Sequence, residues 1–125
     1  MTKFTIAIGI VFVFISILFN ALGSHALKPA LMERQAVDSF QIACNFTMYH
    51  GLALILIGLF IHIFPQINFI WVVSLFLAGS LLFQGVIFLK SLTGMQGIGF
   101  LNPIGGILLF SGWIYFLIIV LRKIG

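Results

Sequence analysis

The chain has 125 residues, 62% of them hydrophobic and 6% charged, with six basic and two acidic side chains and a net charge of +4. A soluble domain needs about a quarter of its residues charged to cover its surface, so a water-soluble fold is excluded. A mean hydropathy of +1.30 makes the lipid bilayer the solvent of the apolar exterior. The basic residues stand singly or in pairs at the ends of apolar runs, as membrane-flanking residues do, which argues against nucleic acid as a partner.

In chain order, the first apolar run covers about residues 4–23. As a helix it spans roughly 30 Å, the thickness of the hydrocarbon core. Lys3 precedes it and Ser24-His25-Ala26 has the look of a small-x-small cleavage site. The run nevertheless exceeds a signal-peptide core and three more spans follow, so a retained first helix is expected. Residues 28–41 are too polar to span. Pro29 suits a first helical turn, and Leu31, Gln35, Asp38 and Ile42 fall at helical steps, predicting a short interfacial helix. Its mixed charges, Glu33, Arg34 and Asp38, read as a solvated face beside the headgroups and not as a polybasic lipid-binding tract.

The second span is expected at about residues 44–64, ended by Pro65 and Asn68, and the third at about 69–89, ended by Lys90. A glycine-containing loop then leads to the fourth, at about 101–121, before Arg122-Lys123. Four spans put both termini on one side. Lys3, Arg122 and Lys123 on one face oppose Lys28, Arg34 and Lys90 on the other, so the basic count is even; the paired C-terminal residues favour termini inside. The expected fold is all-α and a single membrane domain: a four-transmembrane-helix, left-handed bundle with a short interfacial helix between spans one and two.

Small residues recur seven apart in every span: Gly9-Ser16-Gly23, Cys44-Gly51-Gly58, Ala78-Gly85 and Gly105-Gly112. Such a repeat returns to nearly the same helix face and lets backbones approach closely, the main source of helix association in lipid. These residues are the predicted packing seams. Cys44, the one cysteine, forms no internal disulfide and reads as a small apolar packing residue.

The topology gathers most intramembrane polar residues in the leaflet away from Pro65: Asn20, Ser24 and His25, then Tyr49 and His50, then Gln84, then Asn102. An unpaired amide in hydrocarbon costs several kcal/mol, so Asn20 and Gln84 are expected to face protein partners or a wet cavity. Helical projection makes Asn20, Gln84 and Asn102 candidates for one interhelical hydrogen-bond set, with His25 joining only if its helix ends near Gly23. The cluster reads first as interhelical glue. It reads second as a pocket for a small molecule, lipid or quinone head, with His25 and His50 as donors, acceptors or proton carriers. Two-histidine haem ligation is disfavoured, because no haem attachment motif occurs. No paired cysteines, HExxH helix, phosphate-binding loop or nucleophile elbow is found, so neither catalysis, a metal nor a cofactor is expected.

The segments Ala21-Leu22-Gly23-Ser24-His25-Ala26-Leu27-Lys28, Tyr49-His50-Gly51-Leu52-Ala53-Leu54, Ala78-Gly79-Ser80-Leu81-Leu82-Phe83-Gln84-Gly85 and Asn102-Pro103-Ile104-Gly105-Gly106 together resemble the family called domain of unknown function 423. The eukaryotic transmembrane protein 256 is similar. The resemblance spans nearly the whole chain and implies a four-helix protein of the bacterial cytoplasmic membrane, with no activity attached. The expected role is structural or interactive, as a homo-oligomer or an accessory subunit of a larger membrane complex in the lipid bilayer. The alternative is a binding or transport module built on the polar cluster.

Overall fold

In hydrocarbon no water satisfies backbone N–H and C=O groups, so long apolar runs close their hydrogen bonds internally as helices. The computed structural model describes all 125 residues and contains helices only. They are α1 (Thr2–Ser24), α2 (Lys28–Glu33), α3 (Val37–Ile63), α4 (Ile70–Thr93) and α5 (Leu101–Lys123). All but α2 are long and apolar enough to cross a membrane.

Two boundaries differ from the sequence expectation. The interfacial helix stops at Glu33, and Val37 to Ala43 belong to the second span's helix, not to the surface segment. The cause is Gln35, whose φ of 53° is left-handed. There it does what glycine usually does past a helix end: the Ala36 N–H closes back on the Leu31 carbonyl at 2.8 Å. The third span also runs past Lys90 to Thr93, where Gly94, at φ 72°, reverses the chain and its N–H bonds the Lys90 carbonyl at 2.9 Å. Between α3 and α4, Asn68 accepts the Ile70 N–H at 2.9 Å and starts the next helix.

The bundle is built as two tight antiparallel pairs. In the first, the small residues of α1 and α3 face each other. A Cβ on Gly9 would lie 2.6 Å from the Gly51 carbonyl oxygen, and one on Gly51 would lie 2.9 Å from the Gly9 carbonyl oxygen. One repeat further on, the buried Ser16 hydroxyl donates to the Cys44 carbonyl at 2.8 Å. Gly23 is covered by Phe40, and Gly58 by Ile6. In the second pair, Gly105 and Gly112 of α5 meet α4 at Phe83 and Phe76.

The α4 side of that second seam corrects the expected Ala78-Gly85 pair. Ala78 is exposed, and a Cβ on Gly85 would touch nothing nearer than 3.6 Å. Gly79 is the contact residue, since its Cβ would lie 2.8 Å from Leu109. The physical reason is a π-helical turn at Leu81–Gly85, which adds a residue to the turn and breaks the seven-residue register between positions 78 and 85. The shared core lies among α3, α4 and α5, on Leu54, Ile57, Phe69, Val72, Phe76 and Phe116. Helix α1 only borders it, with Ile8 and Phe12 packed against its edge and Thr5, Gly9 and Ser16 as its buried residues.

Candidate functional site

The polar residues of that leaflet do not form one set. The structure divides them into three groups, and the expected Asn20–Gln84–Asn102 network is not made. The helices bring their backbones together at small residues, and the polar side chains that are partnered bond along their own helix or across the nearest seam.

The first group lies on the α1–α3 seam. Asn20 donates to the Ser16 carbonyl at 3.0 Å and accepts from Gln41 at 2.8 Å, and Gln41 also donates to Asn45 at 2.9 Å. Ser24 closes on the Asn20 carbonyl at 3.1 Å. His25 follows the end of α1 and is exposed, as is Tyr49. Gln41 was the missed member, because assigning it to a surface helix hid the face it shares with Asn45.

The second group centres on His50, 3% exposed. Its Nδ1 lies 2.8 Å from the Phe46 carbonyl, and its Nε2 lies 3.0 Å from Trp113 Nε1. An indole only donates, so Nε2 is the acceptor and Nδ1 carries the proton. Both ring nitrogens are thereby used within the protein. Phe76 meets the imidazole edge-on at 5.2 Å and packs against Trp113 at 4.9 Å. The imidazole links α3 to α5.

The third group is the π turn of α4. One of its sides is pinned by α5: Asn102 Nδ2 donates to the Phe83 carbonyl at 3.0 Å, and Gly105 lies against the Phe83 amide. The other side carries Ser80 and Gln84, 4% and 2% exposed. Neither the Ser80 hydroxyl nor either amide atom of Gln84 has a hydrogen-bond partner.

These two side chains line a cleft of about 500 Å³ between α1 and α4, floored by Thr47 of α3. Its walls are Ile8, Phe12 and Ile15 on one side and Leu77, Leu81 and Phe88 on the other. The Thr47 hydroxyl is already committed to the Ala43 carbonyl at 2.7 Å. No charged side chain lines the cleft. Phe88 belongs to an aromatic cluster with Phe19 and Phe40, at ring separations of 4.8 and 5.4 Å, which bounds the cleft toward the α2 face. A volume of this size, apolar with a few polar atoms, is typical of small-molecule sites. Sequence reasoning found Gln84 but missed Ser80. The signal was available, since residues four apart share a helix face.

A second cavity, of about 590 Å³, sits at the membrane face among Arg34, Ser39, Lys90, Gln96 and Asn102. Arg34 has a structural task there: its guanidinium donates to the Ser91 and Leu92 carbonyls at 2.9 and 3.2 Å, capping the end of α4. No group of three or more histidine, cysteine or carboxylate side chains is placed to hold a metal ion.

A family profile described as protein of unknown function (DUF423) matches residues 19–106. The chain is similar to the UPF0382 membrane protein of Staphylococcus haemolyticus, 32% identical over 98% of this chain and 99% of the relative. It is also similar to the UPF0382 membrane proteins of Staphylococcus epidermidis, 34% identical over 85% of each chain, and of Staphylococcus saprophyticus, 35% identical over 79% of this chain and 81% of the relative. No solved structure matches the chain.

Proposed function

The chain belongs to the DUF423 family of bacterial multi-pass membrane proteins, and on that footing we propose that it is a binding module which takes a lipid-soluble molecule from the bilayer into the α1–α4 cleft. One observation carries the reading: Gln84 and Ser80 are buried without partners in the α4 lining of an apolar cleft. An unsatisfied amide in hydrocarbon is expensive, and leucine would fill the same space without that cost. A glutamine kept there is explained by a partner outside the chain. Among the polar residues of this leaflet, Gln84 makes the ligand contact. His50, Asn102 and Asn20 brace the helices around it, and Ser24, His25 and Tyr49 lie toward the outside.

An interaction role, as a homo-oligomer or a subunit of a larger complex, is the second reading. It draws on the same observation, since a polar side chain from a neighbouring helix would also satisfy Gln84. Native mass spectrometry of the gently extracted protein separates the two. A non-protein mass retained by the wild type and absent from Gln84→Leu supports the binding module. An oligomer or a co-purifying protein that dissociates in Gln84→Leu supports the interaction role. Bare monomer as the sole species of both wild type and Gln84→Leu would sink both.

A further inference from the structure

We infer that the molecule held in the α1–α4 cleft is an uncharged acyl lipid whose head carries a hydroxyl beside an oxygen acceptor, as the glycerol end of an acylglycerol does. The inference rests on the binding reading above and names the chemistry its ligand must have.

Charge is settled by the lining. No lysine, arginine, histidine or carboxylate borders the cleft, so a phosphate, carboxylate or ammonium head would enter it unpaired. Depth points the same way. Gln84 lies nine residues before the end of α4 at Thr93, which at about 1.5 Å per residue is ~14 Å below the helix end. That is beneath the headgroup layer, where an ionic head would leave its water behind.

Hydrogen-bond chemistry narrows the head further. The Gln84 amide has an N–H donor and a carbonyl acceptor, both unpartnered, and the Ser80 hydroxyl one helical turn away is unpartnered as well. A quinone or simple ester offers acceptors only. It can satisfy Gln84 Nε2 but leaves Oε1 buried and unpaired, weakening binding by about tenfold to a hundredfold. Each of these atoms exposes less than 1 Å², so the side chains turn toward the cleft as the head enters; a hydroxyl next to an oxygen acceptor then satisfies both ends of the amide and leaves an oxygen for Ser80. The apolar walls supply the rest: Phe12 and Ile15 of α1 face Leu77 and Leu81 of α4, a slot for a hydrocarbon chain. The Phe19–Phe40–Phe88 cluster bounds the cleft at its α2 end. The chain therefore runs from Gln84 toward Ile8 and Leu77, into the leaflet of the Pro65 turn.

The test uses the full chain in phosphatidylcholine nanodiscs with a photoactivatable monoacylglycerol, crosslinks being mapped by mass spectrometry. Labelling is expected on the α1 and α4 residues of the cleft. Monooleoylglycerol should compete at least tenfold better than its dimethyl ether, which keeps the oxygens and loses the donors, and better than oleate. In Gln84→Leu the preference for the diol over the ether should fall to about onefold. Gly85→Leu fills the cleft from a position where a Cβ meets nothing nearer than 3.6 Å, so it should abolish labelling with the helical circular dichroism unchanged. Equal competition by the dimethyl ether, or tighter competition by oleate, overturns the head assignment and leaves the cleft as a binding site. Labelling outside the cleft, or labelling that survives Gly85→Leu, overturns the binding reading itself.

Discussion

The two faces of α1's neighbourhood obey opposite rules. Along α3, helix α1 is locked by backbone contact at Gly9 and Gly51 and by the Ser16 hydroxyl on the Cys44 carbonyl, and Asn20 is partnered by Gln41. Along α4, the same helix stands off, leaving a cleft in whose lining Ser80 and Gln84 have no partner. A stretch of membrane protein that satisfies its polar groups wherever two helices touch has kept two of them unsatisfied where the helices part. In lipid, packing and hydrogen bonding are the forces that hold helices together, so a gap with orphaned polar groups forgoes both. The first region holds the fold; the second is the part of the molecule left available to something else.

The comparison breaks most severely at the seam. Gly51→Leu places a side chain against Phe12 and the α1 backbone, where only helix separation makes room. It should cost about 3 kcal/mol or prevent folding, read as a lowered unfolding transition in mild detergent. Next is Trp113→Phe, which strips His50 Nε2 of its donor inside the bundle. A loss of about 2 kcal/mol is expected in the same measurement, because a buried acceptor is left unpaired.

Gln84→Leu sharpens the contrast by reversing the sign. In delipidating detergent it should raise stability by about 1 kcal/mol, since an unsatisfied amide is replaced by apolar volume. A comparable loss of stability instead would mean that Gln84 is held for the fold. Ser16→Ala removes one interhelical hydrogen bond and should cost about 0.6 kcal/mol. Gly85→Ala is the smallest: its Cβ would meet neighbours only at ordinary van der Waals distances, 3.6 and 3.7 Å, so unfolding should move by no more than about 0.5 kcal/mol, the range of a site without packing constraints. If Gly85→Ala proved as costly as Gly51→Leu, the two faces would not differ as described.

Much of the architecture was legible in one dimension because its cause is local. Four apolar runs of span length, bounded by Pro65, Lys90 and Arg122, force helices in a solvent that cannot hydrogen-bond the backbone. The α1 and α3 seam was legible too, because both helices are regular there and a seven-residue repeat keeps one face. The α4 seam was not. Whether Ala78 or Gly79 meets α5 depends on the π turn at Leu81–Gly85, and that turn is braced by Asn102 and Gly105, which follow it by some twenty positions. The extent of α3 was likewise hidden behind the left-handed Gln35, an unusual residue for that conformation.

The amino-acid sequence alone therefore determined the class of molecule, the number of spans and the leaflet that holds the polar residues, since hydropathy and helix length decide all three. It also singled out Gln84 as a side chain that demands a partner. Only the tertiary structure decided which polar residues found partners. Asn20, His50 and Asn102 were satisfied across seams whose pairing rests on how glycines let backbones approach, while Gln84 and Ser80 fell where α1 and α4 do not touch. A hydrogen bond between helices is a matter of a few tenths of an ångström in three dimensions, and no spacing along the chain encodes it.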